Sequence, residues 1–155
     1  MDPKEPRMIT GIEELDRNPM FLMGLVYKQF RAQVAQQLSV GCEISLEMFG
    51  ALRVLQQHGQ ITQQQLADYL MRDRSVTKRL ADNAIKLGLV QADKSNTNKK
   101  IKLLSLTTAG EQQLAHSKPL VAELNQQFRS PLSDAEQQQL QQLLSKLVRV
   151  DLVTD

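Results

Sequence analysis

Asp73-Arg74-Ser75-Val76-Thr77-Lys78-Arg79-Leu80-Ala81-Asp82-Asn83-Ala84-Ile85-Lys86-Leu87-Gly88 carries an apolar stripe along a polar helix. Val76, Leu80, Ala84 and Leu87 fall at helical spacing, Asp73 stands where an N-cap belongs, and Gly88 suits a left-handed C-cap. The spacing predicts a helix over 73–87 whose outer face holds Ser75, Thr77, Lys78, Arg79, Asp82, Asn83 and Lys86. Upstream, Thr62-Gln63-Gln64-Gln65 fits a capping box, opening a short helix that buries Leu66, Ala67 and Leu70 before a break at Met71-Arg72. Before that, residues 45–57 read as a helix with Leu46, Phe49, Leu52, Val54 and Leu55 inward, ended by Gly59. Downstream, Leu89–Lys94 and Lys100–Leu106 read as strands joined by a polar turn, Ser95–Asn98, giving a hairpin with a basic tip. Helix, short helix, helix and hairpin make a winged helix-turn-helix, in which the last helix enters a major groove and the hairpin flanks the duplex as a wing.

Outward from this centre the chain is helical. Residues 1–18 are polar, contain Pro3 and Pro6, and read as an arm. A helix over 19–39 has Met23, Val26, Tyr27, Phe30 and Val34 at helical spacing, and its first two turns are apolar almost all round. A surface helix of a monomer shows one stripe, so this width implies a second burial surface. Thr108-Ala109-Gly110-Glu111 reads as a capping box opening a helix with Leu114, Val121, Leu124 and Phe128, which Pro119 is expected to kink or break. Ser133-Asp134-Ala135-Glu136 opens the last helix, with Leu140, Leu143, Leu144, Leu147 and Val148 on one face. The expected fold class is mainly α with a small β-hairpin wing. Its expected organisation is an arm (1–18), a first long helix (19–43), a winged helix-turn-helix (44–110) and C-terminal helices (111–155).

Composition agrees. The chain has 155 residues, room for one ordinary domain, and 41% hydrophobic with 23% charged residues is a globular balance. Aromatics are 4%, Trp is absent and Gln occurs 20 times, which favours helix over a β-sandwich. The net charge of +2 hides an asymmetry: residues 72–102 hold nine basic and three acidic side chains, net +6, leaving −4 elsewhere. A charge run is commonly just a solvated face, but here it coincides with the groove-reading elements.

Several classes fall away. No apolar run approaches the ~20 residues of a membrane helix. The start Met1-Asp2-Pro3-Lys4-Glu5-Pro6 leads into no apolar signal core, and Cys42 alone builds no disulfide framework, so the expected location is the cytoplasm. No Walker loop, GxSxG, HExxH or dinucleotide loop occurs, so no enzyme activity and no cofactor are expected. His58, His116 and Cys42 fall short of the three or four ligands of a metal site. His58 before Gly59 reads as a helix C-terminal residue and Cys42 as a small buried hydrophobe.

The stretch Ile44–Leu114 resembles the MarR (multiple-antibiotic-resistance regulator) family of transcription factors. The resemblance rests on Leu66-Ala67 in the short helix, Ser75-Val76-Thr77-Lys78-Arg79 in the recognition helix, Leu87-Gly88-Leu89-Val90 at its exit, and Ser105-Leu106-Thr107-Thr108-Ala109-Gly110 after the wing. The flanking helices extend it over most of the chain beyond the first ~18 residues. It implies a sequence-specific double-stranded DNA-binding regulator, typically a repressor relieved by a small ligand or stress signal. Base readout then falls to Ser75, Thr77, Lys78 and Arg79, backbone contacts to Thr62 and Gln63, and wing contacts to Lys94, Asn96, Asn98, Lys99 and Lys100. One departure stands out: where the family wing carries Asp-Arg-Arg, this chain has Asn98-Lys99-Lys100, without the acid–base pair or the guanidinium fork.

The resemblance further implies a homodimer built from the terminal helices, reading a pseudo-palindromic operator. It also implies a small aromatic effector bound between the dimer helices and the DNA-binding lobe, for which Phe21, Tyr27, Phe30, Met48 and Phe49 are the candidates by position. A Met/Phe cluster at helical spacing is also what a core looks like. Two alternatives remain at this level: a winged helix used for protein–protein interaction, and an anti-silencer on AT-rich DNA. Some relatives sense oxidants through a thiol, which would give Cys42 a second role.

Overall fold

Residues 7–150 are described by a computed structural model. Seven helices and three strands follow one another: α1 (Glu13–Asp16), α2 (Pro19–Gly41), α3 (Leu46–His58), β1 (Ile61–Thr62), α4 (Gln63–Leu70), α5 (Arg74–Lys86), β2 (Val90–Lys94), β3 (Lys102–Leu106), α6 (Thr108–Arg129) and α7 (Asp134–Leu147). The hairpin gains a third strand, giving an antiparallel sheet in the order β1-β3-β2 with Ile61 opposite Leu104 and Val90 opposite Leu106. Two residues are too few for a period-2 signal, which is why β1 is not visible in the sequence.

The helix starts follow their caps. Ser45, Thr62, Thr107 and Ser133 each accept a backbone N–H of the first turn, and Thr62/Gln65 and Ser133/Glu136 complete reciprocal capping boxes. The capping box expected at Thr108 does not form: the N-cap is Thr107, one residue earlier, which accepts from the Gly110 amide at 3.0 Å, and a glycine at N3 has no side chain to reciprocate. Asp73 occupies the N-cap position of α5 without a side-chain cap bond among the described residues.

The core is shared by every long element except α7. Val34 and Leu38 of α2, Met48, Leu52 and Leu55 of α3, Leu66 of α4, Ala81 and Ala84 of α5, Leu104 of β3 and Leu114 of α6 form one buried cluster. Cys42 is buried within it, as a small hydrophobe would be. Pro119 neither breaks nor ends α6, which runs unbroken over 22 residues. One lost backbone bond is outweighed because Leu114, Ser117, Val121 and Leu124 bury the same face on both sides of the proline.

The N-terminal arm holds a built turn. Asp16 is buried, and its carboxylate accepts from the amides of Ile9, Thr10 and Gly11 and from the Thr10 hydroxyl, at 2.8–3.2 Å. Burial pushes this carboxyl up, but the bonds from Thr10, Ile9 and Gly11 outweigh it and hold the pKa below the usual value.

Candidate nucleic-acid interface

Helix α5 presents the candidate readout face. At 3.6 residues per turn, Ser75, Lys78, Arg79, Asp82, Asn83 and Lys86 share one side, and all six are exposed. The opposite side packs inward through Thr77, Ala81 and Ala84. Thr77 is therefore a correction to the expected readout set. It has 0% exposure, facing the core rather than a groove, and its hydroxyl has no hydrogen-bond partner among the described residues. Leu87, expected inward, is half exposed, because the helix ends at Lys86 and the chain turns at Gly88 with φ +74°.

Thr62 and Gln63 stand at the start of α4, both half-buried, with the Thr62 hydroxyl already accepting the Gln65 amide. The turn into α5 passes through Met71, in the left-handed region at φ 51°. Arg72 and Arg74 flank Asp73 there and are exposed; both belong to the basic segment but lie outside the helical stripe of α5.

On the wing, Lys94, Asn96, Asn98, Lys99 and Lys100 are all exposed. Asn98 has a local task, accepting the Lys100 amide through its side chain at 3.0 Å while its carbonyl accepts from Ile101. That Asx turn shapes the tip without the acid–base pair that the resemblance implies elsewhere. Lys94 stands directly opposite Lys102 across the β2–β3 ladder. Like charges facing each other in a ladder repel, and a polyanion relieves that repulsion.

Thr107 ties the lobe to the C-terminal helices. Its hydroxyl donates to the Gly88 carbonyl at 2.6 Å and its amide to the Leu89 carbonyl at 3.1 Å, while the same hydroxyl caps α6. Gly110 sits so close to this joint that a Cβ there would lie 2.0 Å from the Leu89 carbonyl oxygen. Sequence spacing holds no signal for such an approach.

The five pocket candidates do not come together. Tyr27 and Phe30 line an apolar groove of about 550 Å³ between α2, α6 and α7, with Leu22, Val26, Phe128 and Leu140. Phe30 and Phe128 meet edge to face at 5.2 Å. Met48, at 1% exposure, is core, which corrects its expected place; Phe21 and Phe49 are half-buried and are not among the groove-lining residues. A second cleft, about 420 Å³, lies where α2 and α3 meet α5, lined by Arg31, Glu47, Arg72, Arg79 and Asn83. Arg31 and Glu47 approach to 2.8 Å, yet Glu47 Oε1 has no hydrogen-bond partner among the described residues. We read the contact as an ion pair close in distance and off-axis in angle.

Among the described residues no cluster of three His, Cys, Asp or Glu is placed to hold a metal, and no helix is long and apolar enough to cross a membrane. His58 ends α3 and stacks on Tyr69 with ring centroids 3.8 Å apart.

No family model matches the chain. Among solved structures, a Pseudomonas aeruginosa protein described as a transcriptional regulator is 28% identical. It aligns with 86% of this chain and 99% of its own at a TM-score of 0.79. The reduced form of Escherichia coli MarR is 25% identical, over 85% and 97% of the two chains, at 0.73. A Thauera aromatica protein assigned the transcriptional regulation of the hcr operon is 30% identical over 122 residues, 79% of this chain and 74% of its own. The chain belongs to the MarR family of transcriptional regulators. Within this family, fold likeness extends to a mutant E. coli MarR complexed with operator DNA (24% identical, 92% and 99% covered, TM-score 0.79). It extends also to Bordetella bronchiseptica BpsR, whose DNA binding is regulated by 6-hydroxynicotinic acid (17%, 84% and 93%, 0.80). In this winged-helix fold, α5 stands at the position of the second helix of the helix-turn-helix and β2–β3 at that of the wing.

Proposed function

We propose that this MarR-family regulator binds double-stranded DNA as a homodimer, placing α5 of each copy in successive major grooves of a pseudo-palindromic operator, and acts as a repressor in the cytoplasm without enzymatic activity. The observation that carries the reading is the division of α5: Thr77, Ala81 and Ala84 are inside, while Ser75, Lys78 and Arg79 are exposed at its outer face. Base readout falls to Ser75, Lys78 and Arg79. Lys94, Asn96, Asn98, Lys99 and Lys100 hold phosphate or minor groove, and Thr62 and Gln63 meet the backbone.

The organisation follows: an arm over 1–18, a dimerisation helix over 19–43, the DNA-binding domain over 44–110 and C-terminal dimerisation helices over 111–155. The apolar groove with Tyr27 and Phe30, beside exposed Met20, Val26, Leu143 and Leu147, fits a second copy better than a small effector. The effector is assigned instead to the cleft lined by Arg72, Arg79 and the Arg31–Glu47 pair, where an aromatic acid's carboxylate would meet Arg72 and Arg79 and compete with Glu47 for Arg31.

The test is Lys78→Ala with Arg79→Ala, both exposed, so the dimer should stay folded while specific binding is abolished. Retained promoter selectivity overturns the recognition-helix assignment. For the effector, an aromatic acid that releases DNA from the wild-type protein is expected to fail against Arg31→Ala, and undiminished release removes the cleft from the reading.

A further inference from the structure

One acidic side chain occupies the middle of the face that is to meet a polyanion. Asp82 lies roughly 20° around the helix axis from Ser75, with Lys78 and Arg79 to either side, at 3.6 residues per turn. Its Oδ2 accepts the Lys78 ammonium at 2.6 Å, an i,i+4 pair whose side chains are 62% and 55% exposed. So exposed a pair contributes little to stability. What it does is chemical: it holds an ammonium donor and a carboxylate acceptor side by side on the readout face. Without a partner for phosphate, that carboxylate repels the backbone of any duplex that offers it nothing else.

The major-groove edge of a G·C pair is the complement. Guanine offers O6 and N7 as acceptors, to which Lys is matched, and cytosine offers the N4 amino donor, to which Asp is matched. Resting on the reading of α5 as the recognition helix, we propose that Asp82 is a specificity-determining residue that accepts from a cytosine amino group while orienting Lys78 toward guanine. The Asp82–Lys78 pair thus reads G·C at one position of each half-site. Asp82 also selects by exclusion: DNA lacking the amino donor leaves a carboxylate desolvated and unpaired against the groove.

Substituting Asp82→Asn keeps the size and removes the charge. An amide pairs bidentately with adenine N6 and N7, so the preferred base at that position should change from cytosine to adenine. Binding to unrelated duplex should rise, with a salt dependence steeper by about one phosphate contact as Lys78 is released. Discrimination at that position in the wild type should be about 5- to 150-fold, the range of one good base contact.

The experiment is selection from a randomised duplex library by the full-length wild type, Asp82→Asn and Asp82→Ala proteins, with thermal melting to confirm that all three are folded. A G·C requirement in the wild type that becomes adenine with Asp82→Asn and is lost with Asp82→Ala supports the proposal. A wild-type motif retained by both variants overturns it and leaves the DNA-binding reading standing. No selection by the wild type overturns both.

Discussion

Helices α5 and α7 are nearly equal in length, 13 and 14 residues, and both carry a polar and an apolar face. Helix α5 seats Thr77, Ala81 and Ala84 in the core, whereas none of the α7 side chains is buried among the described residues. Leu143 and Leu147 are 52% and 57% exposed while a threonine is fully enclosed. The face of α5 is answered within its own chain. That of α7, like the start of α2 with Met20 and Val26, is left unanswered there. One half of the molecule is complete as a subunit; the other becomes complete by pairing, as in the proposed homodimer.

The contrast can be broken most severely at the unanswered side. Leu143→Asp with Leu147→Asp should leave a folded monomer by sedimentation at micromolar concentration and cut operator affinity by about 100- to 10,000-fold, because the two half-sites are no longer linked. A persistent dimer would move the interface off α7. At the answered side, Gly110→Ala should cost about 3 kcal/mol in urea unfolding, since its Cβ would overlap the Leu89 carbonyl. A smaller effect, in the opposite direction, is expected from Thr77→Val: it removes an unpaired buried hydroxyl and should stabilise the subunit by about 1 kcal/mol while leaving DNA affinity unchanged. Weakened operator binding would return Thr77 to the readout face.

The smallest effect is on the arm. Because the Asp16 carboxyl is held below its ordinary pKa, the stability it contributes is present above the unfolded value of about 3.9 and is lost as pH falls through the lower folded one. Hydrogen exchange at the Thr10 and Gly11 amides should therefore lose protection below about pH 4 in the wild type. The dependence should flatten in Asp16→Asn.

Long periodic elements were legible because their partners lie within the chain or along one stripe: α2, α3, α5 and the paired strands fall within a few residues of their expected limits. What escaped the sequence depends on geometry that spacing does not carry. Thr77 is polar, and polarity placed it outside, although the wheel puts it beside Ala81 and Ala84. Two adjacent threonines stand at the start of α6, and the cap is Thr107 rather than the expected Thr108 because its hydroxyl bonds both Gly88 and Gly110. The Asp16 turn joins backbone amides five to seven residues away, and amides have no sequence signature. Of the candidate interface, Ser75, Lys78, Arg79 and the wing residues are exposed, while the five pocket candidates are dispersed between core and groove.

The Thr107 joint has a mechanical consequence. A 22-residue helix is about 33 Å long at 1.5 Å per residue, and α6 is anchored at one end to the carbonyls where the recognition helix exits and the wing begins. Pivoting such a rod by about 5° moves its far end by roughly 3 Å, so a repacking of side chains against α7 is geared down to a fine rotation at the root of the wing. Because Leu114, Val121 and Leu124 also seat α6 in the core, the helix links the terminal helices to the root of the wing as one packed body.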